Sequence, residues 1–579
     1  MTEKSLFPSQ HGAGGAGYQP QKSPADTSPT RGSKPEAAFD QALVFHQAGR
    51  VSEAEQMYRQ ILKDQPNHVD ALHLLGVIDH QRGNHAEAVR HIDAALAINP
   101  MLASAFYTRG NALFRLRQFG EAVASYDQAI ALKPDSAETY SNRGLALCEL
   151  KRFDEGLASY DRAIALKPDC AEAFINRGLA LCELKRFDEA LASCNRAIAL
   201  NPASVEAFNN RGNAFTALKQ FEAAVASYNQ AIALKPNHAA AFYNRGNALQ
   251  ELRRIEDALA SYNQAIALKP DYADAFNSRG AALADLGHYD EAVASYNQAI
   301  ALRPDYADAF NNRGYALQAL KRLDEALASY TQAVLLAPNN VISRHMLAAC
   351  ISDPHCERAP EAYVRKFFDH YAPHFDESLT RLQYRAPQLI AERLTRSVTP
   401  SGDLEVLDAG CGTGLCGPLL KPFAARLVGV DLSVGMLVEA AKRELYDELV
   451  EAELGAYLTA HPSSFNIIVC CDTLVYLGRL EDTVAAAATA LKPDGLLLFT
   501  LEHLAGGGDN RHYRLAPTGR FSHSADYVRA TLANAGLVDV ITDPIIPRLE
   551  CGEPVYGLLV IARSSPRKTT NQSRCQPLG

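Results

Sequence analysis

The sequence contains no apolar run of about 18 residues, the length that a membrane-spanning helix requires. Its first stretch, MTEKSLFPSQHGAGGAGYQPQ, also lacks the apolar centre of a secretory signal. We therefore expect a cytoplasmic protein that has no contact with a membrane.

Basic residues are not in excess. The chain has 57 Lys and Arg against 66 Asp and Glu, which gives a formal net charge of −9. Binding to nucleic acid requires concentrated positive charge, because the phosphate backbone supplies most of the affinity. The composition therefore argues against DNA or RNA as the main partner.

Paired cysteines are also missing. The 12 cysteines are scattered through the 579 residues and form no CxxC pair. Structural metal sites use paired spacings, and disulfide scaffolds are short and rich in cysteine. We expect reduced and mostly buried thiols, and no metal site.

The ends of the chain differ from its middle. Residues 1–34 are rich in Gly, Pro and Ser, and residues 564–579 read SSPRKTTNQSRCQPLG. Segments with so few apolar residues cannot bury a core, so both are expected to be disordered. The remaining length is too great for one hydrophobic core and predicts several domains.

A strict repeat fills residues 35–340. Glycines recur every 34 residues from Gly76 to Gly314, and prolines recur at the same interval from Pro66 to Pro338. One unit, at 103–136, reads ASAFYTRGNALFRLRQFGEAVASYDQAIALKPDS. It has two apolar-periodic helices, with small residues where they would touch and a proline after the second.

Period and pattern resemble the tetratricopeptide repeat (TPR). The resemblance implies nine helix pairs stacked into a right-handed superhelix with a concave groove, closed by a capping helix and linker at 341–360. Groove positions would hold a ladder of amides that grips the backbone of a protein or peptide partner, although the repeat pattern itself also favours asparagine there. These residues are Asn142, Asn176, Asn210, Asn244 and Asn312.

Beyond residue 360 the pattern changes to alternating strands and helices. EVLDAG, RLVGVDLS, FNIIVCCD and GLLLFTLE are short apolar strands separated by helical stretches. This alternation predicts a parallel sheet with helices on both faces. The last two apolar stretches, on either side of CGEP, predict an antiparallel hairpin at the edge of that sheet.

The segment VLDAGCGTGLCG carries the most specific signal. Its glycines, Gly410, Gly412 and Gly414, have the spacing G-x-G-x-G, and Leu415 stands where a dinucleotide fingerprint would require the third glycine. With Asp408 before them, they resemble motif I of the class I S-adenosylmethionine (SAM) methyltransferases. The resemblance covers about 400–563 and implies a Rossmann-like domain.

The same resemblance assigns the cofactor contacts. Asp431, at the end of the second strand, would accept hydrogen bonds from both ribose hydroxyls. Leu432 and Met436 would pack on the adenine, and an acid near AEL would accept from its amine, which here is a glutamate instead of the more frequent aspartate. The predicted cofactor-binding set is Asp408, Gly410, Gly412, Gly414, Asp431, Leu432, Met436, Glu453, Leu454 and Asp472.

Residues 361–399 precede this domain. VRKFFDHYAPHFDESLTRLQYRAP resembles the lead-in of a bacterial group of predicted methyltransferases that also carry TPR repeats, and its FDxYAxxFD part is shared with small-molecule methyltransferases. The resemblance implies helices that cover the cofactor, with core packing as the alternative. Tyr371 and Arg385 are substrate candidates here, and Arg385 would otherwise pair with Asp408 or Asp369.

Tyr476 and His503, which follow the fourth and fifth strands, are further substrate candidates, since ligands bind at the carboxyl ends of parallel strands. No catalytic base is assigned. The sequence after the fourth strand reads CDTL, without the (D/N)PP(Y/F/W) motif of amide and adenine methylation and without a Pro-Cys nucleophile.

The sequence thus predicts an α-solenoid followed by a SAM-dependent methyltransferase domain. The leading hypothesis is that the repeats dock a protein, or an acceptor tethered to a protein. Two alternatives remain: a small-molecule methyltransferase whose repeats serve assembly, and an interaction scaffold whose domain binds SAM without turnover.

Overall fold

The computed structural model describes residues 34–504, 512–550 and 552–566, and the chain divides into two compact units, Met1–Ala275 and Phe276–Gly579. The ends predicted to be disordered are residues 1–34 and 564–579. Of these, residues 1–33 and 567–579 lie outside the described residues. Ser564, the first residue of the predicted tail, instead ends the last strand, where its hydroxyl donates to the Lys492 carbonyl at 2.5 Å.

The first unit consists of antiparallel helix pairs. In each regular pair a glycine of the first helix lies against an aromatic ring of the second: a Cβ added to Gly110 would come within 2.5 Å of the Tyr126 ring. Tyr126 is fully buried as a result. The helices are α1 (Lys34–Gln47), α2 (Val51–Asp64), α3 (Val69–Gln81), α4 (His85–Ile98), α5 (Ala103–Arg115), α6 (Phe119–Leu132), α7 (Ala137–Glu149), α8 (Phe153–Leu166), α9 (Ala171–Glu183), α10 (Phe187–Leu200), α11 (Val205–Ala217), α12 (Phe221–Leu234), α13 (Ala239–Glu251) and α14 (Ile255–Leu268).

The second unit begins with helices of the same kind and continues into an α/β domain. The repeat helices are α15 (Ala273–Asp285), whose first residues close the first unit, α16 (Tyr289–Leu302), α17 (Ala307–Ala319) and α18 (Leu323–Leu336), and α19 (Val341–Cys350) packs against α18. The division of the chain therefore falls inside the repeats, so two helix pairs and α19 belong to the same unit as the α/β domain.

The α/β domain is a nine-stranded sheet flanked by helices. Its helices are α20 (Glu361–Tyr371), α21 (Phe375–Arg381), α22 (Ala386–Thr395), α23 (Gly417–Leu420), α24 (Val434–Ala441), α25 (Leu454–Ala460), α26 (Glu481–Ala490) and α27 (Ala525–Asn534). Its strands are β1 (Leu404–Ala409), β2 (Ala424–Asp431), β3 (Glu448–Glu451), β4 (Phe465–Cys470), β5 (Leu491–His503), β6 (Tyr513–Leu515), β7 (Phe521–His523), β8 (Leu537–Ile545) and β11 (Gly557–Ser564), while β9 (Leu549–Glu550) and β10 (Glu553–Pro554) form a separate pair.

The strand order β3-β2-β1-β4-β5-β11-β8 confirms the predicted sheet. The first five strands are parallel, and β11 lies antiparallel between β5 and β8 as the predicted edge hairpin. Because β1 lies between β2 and β4, the loops after these three strands meet at one edge of the sheet. None of the helices in the described part of the chain is long and apolar enough to cross a membrane.

The central strands are buried on both faces. Leu407, Ile468 and Phe499 pack with one layer of helices, while their neighbours Ile467 and Leu498 pack with the other. Such strands read as continuous apolar runs because both sets of alternating side chains are covered. The sheet is therefore a rigid base for the loops at its carboxyl edge.

Candidate active site at the carboxyl edge of the sheet

Asp431 ends β2 and holds the glycine-containing loop that follows β1. Its Oδ2 accepts a hydrogen bond from the Gly412 amide at 2.9 Å, and its Oδ1 accepts one from the Ser433 amide at 2.9 Å. Burial raises the pKa of this carboxyl, and the amides of Ser433, Gly412 and Leu432 oppose that rise. The side chain is thus fixed at the point where the loops after β1 and β2 meet.

The three glycines of the loop have positive φ angles of 77°, 53° and 83°, but different surroundings. A Cβ on Gly410 would lie 2.2 Å from the Thr473 hydroxyl, and one on Gly414 would lie 2.9 Å from the Tyr446 ring. Among the described residues, a Cβ on Gly412 would have one neighbour within 4 Å, the Phe375 ring at 3.9 Å. Two glycines are therefore required by packing within the protein, and Gly412 presents its backbone to the more open side.

Asp408 lies beneath this loop and is completely buried. Its Oδ2 accepts a hydrogen bond from the Tyr446 hydroxyl at 2.6 Å, while its Oδ1 has no hydrogen-bond partner among the described residues. Burial raises the pKa of this carboxyl to about 7, since a charge in an apolar surrounding loses its solvation. Asp408 supports the loop from inside the protein, and none of its surface is accessible.

We expect Asp408→Asn to change how stability depends on pH. The pKa is about 7 in the fold and near 3.8 without it, so ionisation destabilises the native state as pH rises through this window. Asparagine has the same shape, can accept from Tyr446 and never ionises. The difference in unfolding free energy between Asp408→Asn and wild type should therefore increase by about 2 kcal/mol in favour of the variant from pH 5 to pH 8. Calorimetric unfolding at both pH values tests this, and parallel pH curves for the two proteins would contradict it.

The residues predicted to surround adenine lie at the ends of β2 and β3. Met436 is buried, whereas Leu432 and Leu454 are half-buried. Glu453 caps α25, because its Oε2 accepts from the Ala456 amide at 2.7 Å, and its Oε1 accepts from Arg358 at 3.2 Å. The structure places these predicted adenine-contacting residues near Asp431. Glu453, predicted to accept from the adenine amine, caps a helix in this structure.

Two aspartates of the lead-in helices bind the loops around Asp431. Asp369 accepts hydrogen bonds from the Ser433 hydroxyl at 2.6 Å and from the Gly435 amide at 3.0 Å. Asp376 accepts from the Thr413 hydroxyl and pairs with Arg443. Both aspartates belong to the FDxYAxxFD pattern. The sequence analysis selected the aromatic Tyr371 of this pattern as a site residue and assigned no loop contact to the aspartates.

The aromatic residues of the lead-in divide into two groups. Phe368 packs edge-on against Tyr476, with ring centres 5.5 Å apart, and joins α20 to the turn after β4. Tyr371 stacks on Phe367 and is 40% exposed. Tyr476 therefore contacts the lead-in, whereas Tyr371 lies on its outer side.

The remaining substrate candidates differ in placement. Arg385 is exposed and caps α22, where its amide donates to the Pro547 carbonyl at 2.8 Å. Within the described residues it pairs with neither predicted partner: Asp408 accepts from Tyr446, and Asp369 from Ser433 and Gly435. His503, at the end of β5, is half-buried, and its amide donates to the Tyr556 carbonyl at 2.9 Å.

Asp472 follows β4 in a left-handed conformation, with a φ of 51°. Its Oδ1 accepts from the Thr500 hydroxyl at 2.6 Å, and its Oδ2 accepts from Arg548 at 2.8 Å. Arg548 was not anticipated from the sequence, because it lies in the chain between β8 and β11, far from any recognised motif. The carboxyl edge of β4 is thus stabilised by an ion pair with a distant segment.

The asparagine ladder of the repeats is hydrogen-bonded between neighbouring repeats. Asn142 donates to the Tyr107 hydroxyl and to Asn111, and Asn244 donates to Asn209 and Asn213, at 2.9 to 3.2 Å. Asn312 donates to Asn277 in the same way, at 3.2 Å. Asn176 and Asn210 are only 3% and 8% exposed. These amides stabilise the stack, and the two buried ones have little surface for a ligand.

The arginines that follow this ladder also bind within the repeats. Arg109 donates to Asp93 at 2.7 Å and to Ser125 at 2.8 Å, which joins the second helices of two successive pairs. Arg143 and Arg177 repeat the arrangement, whereas Arg245 and Arg313 use an asparagine in place of the aspartate. Their role is to connect repeats.

Comparison with known families agrees with both parts of the fold. Models described as TPR repeat match residues 110–151, 212–252, 254–287 and 280–321, and models described as tetratricopeptide repeat match 39–101, 142–205 and 307–340. A model described as methyltransferase domain matches residues 406–495, from the middle of β1 into β5. The chain therefore carries tetratricopeptide repeats and a class I methyltransferase domain.

Curated methyltransferases match part of the chain. The human methyltransferase-like protein 27 is 33% identical over 141 residues, which cover 23% of this chain and 56% of that protein. The ubiquinone biosynthesis O-methyltransferase of Thiobacillus denitrificans is 34% identical over 108 residues, which cover 17% and 45%. The chain thus spans about half the length of the curated relatives it matches.

A solved structure aligns with about a third of the chain. YrrB, described as a TPR protein with an unusual peptide-binding site, aligns with 24% identity and a TM-score of 0.29, over 32% of this chain and 96% of that one.

Proposed function

We propose that this chain is a SAM-dependent methyltransferase whose tetratricopeptide repeats dock a protein or a protein-tethered acceptor. The observation that carries the catalytic part is the position of Asp431. Its carboxylate ends β2 and holds the amide of Gly412, the motif glycine with the most room around it. Among the described residues, the nearest neighbour of a Cβ added there is the Phe375 ring at 3.9 Å. A nucleoside with a vicinal diol fits an acid at this strand end.

The residues present fit SAM. The Asp431 oxygens accept from the Gly412 and Ser433 amides, and the Leu432 amide also interacts with this carboxyl. A carboxylate has about four acceptor sites, so it retains capacity for a ribose hydroxyl. The open backbone at Gly412 admits the methionine part, where a side chain would stand in its way. Leu432 and Leu454 would pack against the adenine.

Bound SAM supplies a methyl group on a sulfonium, which transfers by direct displacement. The protein has to align the acceptor with that methyl group and exclude water from the site. Asp431 and Gly412 would fix the cofactor, and the lead-in would cover it, because Asp369 and Asp376 bind the loops after β2 and β1. The edge of β4, with Asp472 and Tyr476, is where the acceptor would approach.

A protein acceptor is the leading proposal for the repeats because such arrays are docking surfaces. Their recognition would use side chains other than the amide ladder, which is engaged between repeats. A small-molecule acceptor is the second candidate. It is favoured by one observation, the similarity of the domain to a ubiquinone biosynthesis O-methyltransferase.

Transfer of a labelled methyl group decides between them. The purified full chain and methyl-tritiated SAM are added to a bacterial lysate, which is then separated into protein and small-molecule fractions. Label in protein, beyond a lysate without the added chain, is the expected result. Label confined to small molecules would select the second candidate, and the absence of added label in both fractions would contradict the activity.

A further inference from the structure

The β6–β7 hairpin joins the last repeats to the α/β domain. Its turn carries Gly519, whose carbonyl accepts a hydrogen bond from His345 Nε2 of α19 at 2.8 Å. Gln318 of α17 donates to the Pro517 carbonyl in the same turn. Nε2 carries a proton, because its partner is a carbonyl oxygen, and burial lowers the pKa of the ring.

Shape reinforces these hydrogen bonds. Gly519 has a φ of 80°, and a Cβ there would lie 3.2 Å from the Tyr363 hydroxyl and 3.3 Å from the Met346 sulfur. Beside the turn, Ala349 of α19 forms one buried cluster with Leu515 and Phe521 of the hairpin. The hairpin is therefore clamped by the helix that closes the repeats.

Arg520 follows Gly519 directly and points into the α/β domain. Its Nε donates to Glu502 at 2.7 Å, and its Nη2 donates to Glu550. Glu502 is near the end of β5, and its neighbour in the sheet is Ser522 of β7. The position of the turn therefore sets where the Arg520 guanidinium meets both carboxylates.

A second guanidinium carries the connection to β4. Arg548, only 4% exposed, donates to Asp472 at 2.8 Å, to Glu550 at 2.9 Å and to Glu502. Three carboxylates thus share two guanidinium groups in a mostly buried cluster. Removing one partner from such a cluster leaves a buried charge without compensation, so the remaining side chains must rearrange.

The cluster ends next to the glycine-containing loop. The Asp472 amide donates to the Thr500 hydroxyl at 2.8 Å, and this hydroxyl donates back to Asp472 Oδ1. The next residue, Thr473, donates to the Ala409 carbonyl at 3.0 Å and fills the space beside Gly410. Arg520 is therefore connected by contiguous contacts to Asp472 at the carboxyl end of β4, where the acceptor would approach, and from there to the glycine-containing loop.

We propose that Arg520 is a positioning residue for the acceptor side of the site, and that α19 sets its position. In this arrangement the last repeats and α19 are part of the catalytic unit. Held by the clamped turn, Arg520 fixes Glu502 and Glu550, and through Arg548 it fixes Asp472 at the carboxyl end of β4. The proposal rests on the proposed methyltransferase function only in naming this edge the acceptor side.

The first test uses Gly519→Ala and Gly536→Ala in the full chain. Both glycines have nearly the same φ, 80° and 81°, but no described atom lies within 4 Å of a Cβ at Gly536. Both variants therefore carry the same backbone strain, and only Gly519→Ala also displaces the turn from α19. Hydrogen exchange of the Asp472 amide, followed without any ligand, should become about tenfold faster in Gly519→Ala relative to Gly536→Ala. Equal rates at Asp472 would overturn the coupling.

The second test compares Arg520→Lys and Arg520→Met. Lysine keeps the positive charge but cannot donate to Glu502 and Glu550 from two separate nitrogens as arginine does. It should therefore restore part of the protection of the Asp472 amide from hydrogen exchange that is lost with methionine. Methyl transfer to the acceptor fraction of a lysate, titrated at saturating SAM, should show a kcat lowered about tenfold in Arg520→Met. SAM affinity should stay within about twofold of wild type. A uniform loss of SAM affinity and kcat, without rescue by lysine, would reduce Arg520 to a structural role.

The two tests separate the proposals. If wild type does not bind or consume SAM, the methyltransferase proposal fails, yet the exchange of Asp472 in the Gly519 and Gly536 variants still decides the coupling. If transfer occurs and the exchange rates are equal, the coupling fails alone.

Discussion

Asp431→Ala is expected to reduce the affinity for SAM by about 30- to 700-fold, which corresponds to 2–4 kcal/mol. The carboxylate would lose its charge-assisted hydrogen bonds to both ribose hydroxyls. It would also release the Gly412 amide, which it now holds at 2.9 Å. Isothermal titration of the full chain with SAM measures the change directly.

Asp447→Ala is the matched control. Asp447 also supports β2, because its Oδ2 accepts from the Leu427 amide at 2.7 Å and from Lys421 at 2.9 Å, but Leu427 lies four residues before the carboxyl end of the strand. The control should lose comparable stability and retain SAM affinity. If Asp431→Ala bound SAM as tightly as Asp447→Ala, the assignment of Asp431 to the ribose would be wrong.

The fold was predictable because its signals are periodic. A spacing of 34 residues places each glycine against a side chain of the next helix. In most repeats that side chain is a tyrosine, as with Gly110 and Tyr126. The buried strands were predictable from apolar runs because they pack on both faces, so that both sets of alternating side chains are apolar. Regular local patterns and a regular fold agree at these positions.

The parts of the site that were missed depend on contacts between distant segments. β6 and β7 have three residues each, too few for an alternating pattern, and are held by β5 and α19. Arg548 meets Asp472 across 76 positions of the chain. No local rule connects such residues, and only the fold brings them together.

Several residues that the sequence analysis assigned to ligands also have contacts within the protein. Gly410 and Gly414 are glycines because Thr473 and Tyr446 occupy the space of a side chain. Asn142 and Asn244 are amides because each bonds to the preceding repeat. A residue type that recurs at a fixed spacing shows that the position is constrained. Only the surrounding structure shows whether a ligand or packing within the protein imposes the constraint.

Two truncations are expected to behave very differently, although they end only 65 residues apart along the chain. Removing residues 1–275 leaves the second unit with α17, α18 and α19 in place, so SAM affinity should stay within about twofold of the full chain. Transfer to a docked protein acceptor should fall, because most repeats are gone. Removing residues 1–340, the boundary that the repeat pattern suggested, should destabilise the remaining domain by several kcal/mol.

The physical reason is what the longer truncation uncovers. It removes Gln318 from the Pro517 carbonyl, and it removes α18, against which α19 packs. Buried residues of α19 such as Met346 and Ala349 would then face water, and the helix that clamps Gly519 would lose its support. Thermal unfolding and SAM titration of both proteins provide the measurement. If the 341–579 protein were as stable and bound SAM as well as the 276–579 protein, the last two helix pairs would be a docking arm and no part of the catalytic unit.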